Sequence, residues 1–326
     1  MTDRPPAVVF IHGLAKKPPP PKLEEIVRWG LDTDDPKPEV FGYDNPGLVT
    51  AEKLQLSLCY WADVFHVDHE TDFASYYESS GEPPVVESVP LQGAPAAAEA
   101  LSADEAAFVE RLTRRYAGQR GLESGATVPA AGAATGSLER VPLPGFVKEA
   151  VIRRFAVEAY HYLFDKPYTR ADGRSFNVRT ELRRRCVEAL AAARAASDRV
   201  VLLSHSMGTM IAYDVLRNDP ACPRVDALVT LGSPLGVDEV QDGLLPAGGK
   251  HDAFPSGTLA GPWVNVYDPL DPICGLDPAL SNDFLRAGQR ALTDIREDNW
   301  GWWRHTITHY LAGRQLRGEL VRLAQL

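Results

Sequence analysis

The 326-residue sequence lacks the features that would mark a secreted, membrane-spanning or nucleic-acid-binding protein. Its N-terminal region holds only one short apolar run, Ala7 to Ile11. A secretory signal needs roughly 7–15 apolar residues and a membrane span roughly 20, and neither stretch occurs. The four cysteines (Cys59, Cys186, Cys222 and Cys274) are scattered without CxxC spacing. That spacing offers neither a disulfide framework nor a zinc site, so the expectation is a reduced, cytoplasmic protein. Blocks of Lys or Arg are missing too, and the formal net charge is -10 with a pI near 5.3. Such a field repels phosphate backbones, which disfavours nucleic acid as a partner. There is no internal repeat.

What is present is an ordinary globular composition, 44% hydrophobic and 24% charged. The length suits one catalytic domain carrying an insertion. Ala7–Ile11 reads as a buried strand ending in His12-Gly13, and Pro21–Leu31 spaces Leu23, Ile26, Val27 and Gly30 at helical intervals. Leu54–His66 reads as a second strand running into a loop. A Ser102-Ala-Asp-Glu105 capping box opens a helix to about Tyr116, and Phe146–Phe164 predicts another. Further on come a helix at Val178–Ala196, a strand at Arg199–Leu203, a helix at Met207–Arg217, and strands at Val225–Leu231 and Trp263–Tyr267. A helix over Leu276–Gly288, a short strand at Ala291–Ile295 and a terminal helix at Thr306–Leu323 complete the reading. This alternation predicts a mostly parallel, doubly wound α/β sheet covered on both faces. The core is expected from 1–69 and 173–326, with 70–172 inserted as a helical cap or lid. Gly118–Gly136 is Gly/Ala/Ser-rich, and its composition predicts a mobile segment.

The strongest chemical signal is Val200-Val-Leu-Leu-Ser-His-Ser-Met-Gly208, an apolar strand, a tight turn and a helix with Ser206 at the apex. A nucleophile elbow is written G-x-S-x-G because so sharp a turn needs small residues two before and two after the serine. Here Ser204 stands at the first position and Gly208 at the second. The turn lifts the hydroxyl above the sheet and aims a helix N-terminus at the reacting oxygen.

A serine hydroxyl attacks well only when a base takes its proton and a carboxylate orients that base. Downstream, Asp268-Pro-Leu-Asp271-Pro-Ile puts two aspartates just past a strand, where open α/β sheets present functional groups. Asp271 is the choice and Asp268 the alternative; plain turn chemistry before proline would also explain either. Trp302-Trp-Arg-His305-Thr-Ile-Thr-His309 supplies the base candidates. His305 sits where a loop meets the last helix and is favoured, with His309 the alternative one turn on. Their i, i+4 spacing suits a metal, but Thr306 stands where HExxH has its glutamate. Two backbone N–H groups are needed for the oxyanion. Met207, after the nucleophile, is one candidate and Leu14, in the loop after the first strand, the other. His12 reads as a residue that shapes this turn.

Taken together, His12-Gly13, Ser204-His-Ser-Met-Gly-Thr-Met-Ile-Ala-Tyr213, Thr230-Leu-Gly-Ser-Pro-Leu-Gly236 and Trp263-Val-Asn-Val-Tyr-Asp-Pro-Leu-Asp271 resemble the α/β-hydrolase superfamily. The last two segments, with His305 and Tyr310-Leu311, resemble a serine esterase/lipase-like branch. The resemblance covers roughly 7–66 and 176–326. It implies hydrolysis of a carboxylic ester through Ser206, Asp271 and His305, with no metal or organic cofactor and a small-molecule ester or acyl substrate.

Weaker signals point elsewhere. His66, Asp68, His69, Glu70 and Asp72 crowd together, though a solvated acidic loop accounts for them better than a metal. Gly243–Lys250 superficially resembles a phosphate loop but lacks the following Ser/Thr. Trp61, Tyr76, Tyr77 and Phe155 are candidates for an acyl pocket or for plain packing. A thioesterase or acyltransferase could use the same triad, with Arg111, Arg114 and Arg115 meeting a pantetheine arm. A hydrolase fold that binds without turnover is the reading from another class. The apolar side of Phe146–Phe164 raises membrane contact as a lesser expectation. The sequence leaves the oligomeric state open.

Overall fold

A computed structural model describes residues 4–34, 47–48, 54–73, 76–77, 102–118, 145–300 and 304–326. Six parallel strands form its central sheet, in the order β2-β1-β5-β6-β7-β10. These are β1 (Ala7–Ile11), β2 (Gln55–Cys59), β5 (Val200–His205), β6 (Ala227–Leu231), β7 (Trp263–Tyr267) and β10 (Thr293–Arg296). Between β2 and β5 lies a small antiparallel hairpin, β3 (Pro167–Thr169) with β4 (Ser175–Asn177). Strands buried on both faces read as unbroken apolar runs, and every residue of β1, β5 and β6 is buried.

Strand periodicity divides the core in two. Ala7, Val9 and Ile11 face one side with Val200 and Leu202; Val8 and Phe10 face the other with Val201 and Leu203. The second side is covered by three helices: α1 (Pro20–Asp32), α7 (Ile307–Ala312) and α8 (Arg314–Ala324). The first is covered by α4 (Val178–Ala196) and α5 (Met207–Asn218), with α2 (Ala103–Gly118) and α3 (Gly145–Leu163) in the same core. The short helix α6 (Asp238–Leu244) adds Val240 and Leu244 there. In α4 the buried residues Val178, Leu182, Cys186 and Leu190 recur every four positions, and Arg179 and Arg185 beside them pair with Asp214 and Asp63.

The inserted helices therefore share the main core. Ile152, Phe155, Ala156, Ala159, Tyr162 and Leu163 of α3 meet Phe108, Leu112 and Tyr116 of α2 within it. The buried apolar residues of α3 thus face protein. The capping box forms its first half, with the Glu105 N–H donating to Ser102 Oγ at 3.2 Å. Residues 119–136 of the predicted mobile segment lie outside the described residues. Among the described residues, no helix is long and apolar enough to cross a membrane.

Two predicted elements are corrected. Leu276–Gly288 is not a helix: it runs through turns into a hairpin of β8 (Leu285–Arg286) and β9 (Gln289–Arg290). The Asn265 side-chain amide donates to Pro278 O at 2.8 Å, and the Asp294 carboxylate takes the Leu280 and Ser281 N–H groups at 2.9 and 3.0 Å. Ala287 and Gly288, with φ of 47° and 75°, close the hairpin as a two-residue turn with both φ positive. The single terminal helix is instead α7 and α8, broken at Gly313 in extended conformation. Glu297 accepts the Gln315 N–H at 3.1 Å, capping the new N-terminus from outside.

Candidate active site

The loops at the C-terminal ends of β1, β5, β6 and β7 converge on Ser206. This residue takes φ 56° and ψ -132°, a conformation that costs a non-glycine residue about 1–3 kcal/mol. Strain of that kind belongs to an elbow, whose strand and helix directions admit no relaxed turn. The neighbours explain the motif's spelling. A Cβ on Gly208 would lie 2.6 Å from the carbonyl oxygens of both Ile11 and His12, so only glycine fits. Ser204 is tolerated at the other small position because its hydroxyl donates to Val229 O at 3.1 Å on the adjacent strand.

Asp271 and His305 meet 34 positions apart, with Nδ1 of the histidine 2.7 Å from Oδ2 of the aspartate. The same oxygen accepts the Tyr310 hydroxyl at 2.6 Å, while Oδ1 accepts the Ile273 N–H at 2.8 Å. Burial alone would raise this carboxyl, but His305 and the hydrogen bonds outweigh it and hold its pKa below the usual carboxylate value. An ionised Asp271 obliges Nδ1 of His305 to be the donor, so in the neutral ring Nε2 carries the lone pair. Gly232, at the end of β6 with φ 53°, makes room for the pair. A Cβ there would stand 2.7 Å from Asp271 Oδ2 and 3.1 Å from His305 Nδ1.

The alternative acid and base candidates make other contacts. Asp268 is fully buried and accepts the N–H groups of Leu270 and Asn299 at 2.7 and 2.9 Å and Arg304 Nη1 at 3.1 Å. It ties the loop that precedes His305 to the end of β7, and burial lifts its pKa to about 6. His309 is fully buried on α7 and lies against Trp300 with ring centroids 4.2 Å apart.

Next to Ser206, the His205 ring lies against that of His305, centroids 4.5 Å apart. Burial first, and then His305, push its pKa well below the ordinary value, so it stays neutral. Ser206 Oγ is buried and makes no hydrogen bond among the described residues. In sites without substrate such contacts are commonly long and close only when substrate binds.

The loop after β1 wraps over the same serine: a Cβ on Gly13 would lie 2.6 Å from Ser206 Cβ and 3.2 Å from its Oγ. His12 sets the direction of this loop. Its Nδ1 donates to Gly13 O at 2.7 Å, and its Nε2 accepts the Trp61 N–H at 2.9 Å. Trp61 also donates its indole N–H to His12 O at 2.9 Å and stacks on the ring at 4.8 Å. A ring with one donor and one acceptor role must be neutral, in keeping with a pKa lowered to about 3 by burial. In a trans peptide the C=O and N–H point opposite ways, so holding Gly13 O fixes where the Leu14 N–H points. Met207 opens α5, where the first N–H groups have no partner within the helix.

The other candidates settle into structural places. Among the described residues no group of three or more His, Cys, Asp or Glu could hold a metal ion. His66 meets Arg154 at 2.8 Å, His69 meets the Tyr60 hydroxyl at 3.1 Å, and Glu70 accepts the N–H groups of Thr71 and Asp72. Trp61 and Phe155 are core residues, and Tyr77 stands edge-on to Trp29 at 4.9 Å. Arg115 pairs with Asp238 and Glu239, and Arg114 with Glu110. Lys250 of the rejected phosphate loop pairs with Asp283 at 2.7 Å. Sequence reasoning assigned no role to Tyr310, Gly232 or His205, although all three stand inside quoted motifs.

The model of the PGAP1-like alpha/beta domain family matches residues 149–244, less than half of the chain but including β5, Ser206 and α5. No curated protein matches the sequence. Among solved structures, the chain is similar to the esterase domain of a Rhodothermus marinus protein, with 16% identity and a TM-score of 0.28 over 43% of this chain and 68% of that one. With its six-stranded parallel sheet and its strained strand-to-helix serine, the chain has an α/β-hydrolase fold, and the family match covers the central part of it.

Proposed function

We propose that the protein is a serine hydrolase that cleaves carboxylic esters through an acyl-serine intermediate. The observation that carries this reading is the Asp271–His305 hydrogen bond at the sheet end where Ser206 is held in its strained turn. His305 Nε2 takes the proton of Ser206 as Oγ attacks the substrate carbonyl carbon. The N–H groups of Leu14 and Met207 hold the oxyanion. Collapse breaks the carbon–oxygen bond to the alcohol, which leaves with the proton from His305. Water, deprotonated by the same base, then attacks the acyl-serine, and acid and free enzyme are released. Asp271 keeps the imidazole in its reactive tautomer and stabilises the imidazolium that forms, and Tyr310 holds Asp271.

The test is labelling with a fluorophosphonate, read by intact-mass spectrometry, on wild type and on Ser206→Ala. One adduct on wild type, absent from the variant together with p-nitrophenyl ester hydrolysis, is the expected outcome. Hydrolysis retained by Ser206→Ala would sink the assignment. A folded wild type that neither labels nor hydrolyses would leave a hydrolase-fold binding protein in its place.

A further inference from the structure

One carboxylate of the inserted helix α3 reaches the loop that carries the Leu14 N–H. Glu158 is only 3% exposed and shares its helix side with the buried Phe155 and Tyr162, with Arg154 one turn before it. A charge in such a place is costly unless it is paired and hydrogen-bonded. Its Oε1 accepts Arg154 Nε at 3.2 Å and lies 3.5 Å from His66 Nε2, and its Oε2 accepts the Ala15 N–H at 3.5 Å. From the other side, Lys17 Nζ donates to Leu14 O. Leu14 O and the Ala15 N–H belong to one peptide unit, and in a trans peptide they point in opposite directions. An anion and a cation therefore hold the two ends of a single peptide plane. Ala15 itself has φ 75°, a conformation an alanine adopts only when its surroundings impose it.

We propose that Glu158 and Lys17 are positioning residues that clamp the Leu14–Ala15 peptide, so that the inserted helix α3 holds the oxyanion donor Leu14 N–H in place. The proposal rests on the serine-hydrolase reading above. His12 fixes the preceding peptide unit through Gly13 O. The clamp fixes the following one, and between them the Leu14 N–H has little freedom to turn. Burial pushes Glu158's own pKa up, but His66 and Arg154 outweigh it and bring it down to about 2, so the carboxylate stays charged.

The experiment compares kcat and KM on p-nitrophenyl butyrate for Glu158→Leu, Lys17→Met, their double variant, and the conservative Glu158→Gln and Lys17→Arg. For the two apolar variants kcat should fall about 10- to 100-fold with KM changed by less than about twofold, since a misplaced oxyanion donor weakens the transition state alone. The double variant should be no worse than the poorer single one, because both groups hold the same peptide. Glu158→Gln and Lys17→Arg, which keep an acceptor and a donor, should recover most of kcat. Wild-type kcat in folded Lys17→Met and Glu158→Leu would overturn the clamp, as would a rise in KM alone. Lys17 is half-buried on a loop, so its variant carries the test if Glu158→Leu does not fold. Ser206→Ala, assayed in the same series, separates the two readings. Activity surviving there removes the serine mechanism, whereas activity lost there with kcat unchanged in Lys17→Met removes only the clamp.

Discussion

Replacing Gly232 by alanine tests how closely the acid–base pair is built. The added Cβ would stand 2.7 Å from Asp271 Oδ2, where ordinary contact begins at 3.4 Å, so the pair must retreat by about 3.4 - 2.7 = 0.7 Å. Nothing soft is available to yield, because Asp271 is held by Tyr310, Ile273 and His305 together. A displacement near 1 Å in a catalytic group costs up to about 100-fold in rate, so kcat should fall roughly 30- to 100-fold with KM little changed. At about 1.4 kcal/mol per tenfold, that is roughly 2–3 kcal/mol of lost transition-state stabilisation. The φ of 53° adds about 1–2 kcal/mol of backbone strain for alanine. Steady-state hydrolysis of a p-nitrophenyl ester and thermal unfolding read the two effects separately. Gly257→Ala is the control, since its Cβ would meet nothing within 4 Å, and it should behave as wild type. Gly232→Ala with kcat within about threefold of wild type would refute the claim that this glycine makes room for a working pair.

Three further outcomes follow from the same geometry. Asp271→Asn should lower kcat by about 10³–10⁴, because the amide no longer enforces the reactive tautomer; Asp268→Asn should cost stability through Arg304 and much less kcat, and equal losses in the two would reverse the assignment. Tyr310→Phe removes one of three donors to Asp271 and the acceptor of the Asp268 N–H. It should lower kcat about 3- to 10-fold and stability by about 1–3 kcal/mol in chemical denaturation, and an unchanged variant would deny Tyr310 its role. Glu297 has its pKa raised by burial to about 7, above an ordinary 4.5. A raised acid favours folding below its unfolded pKa, and that contribution is lost as pH climbs through 7, so ionisation at pH 8 costs on the order of 3 kcal/mol. Glu297→Gln, which keeps an acceptor for Gln315, should therefore lose less stability than wild type between pH 5 and pH 8; parallel melting curves across that range would contradict it.

Local physics was enough to read much of this molecule from its sequence. The unbroken apolar runs at Ala7–Ile11 and Val200–Leu203 announce strands buried on both faces, and the four-residue spacing of Val178, Leu182, Cys186 and Leu190 announces a helix. Ser206 was legible for the same reason, since strand, elbow and helix are contiguous and the small residue at 208 is a steric demand of the turn itself. Elements whose form depends on remote partners were not legible. Leu276–Gly288 has helical composition, but Asp294 and Asn265 give its backbone other bonds. The last helix divides because Glu297, sixteen residues before Gly313, caps its second half.

The site divides along the same line. Contiguous sequence pointed to Ser206, its strand-turn-helix setting and the two loops that carry the acid and base candidates, because each of these is a property of neighbouring residues. Only the tertiary structure set Asp271 apart from Asp268, since both stand in one loop and what separates them is whether His305 or Arg304 lies opposite. It alone brought Tyr310 and Gly232 to Asp271 and Glu158 to the loop after β1, because hydrogen bonds and close contacts across about 40 to 140 positions leave no periodic trace along a chain.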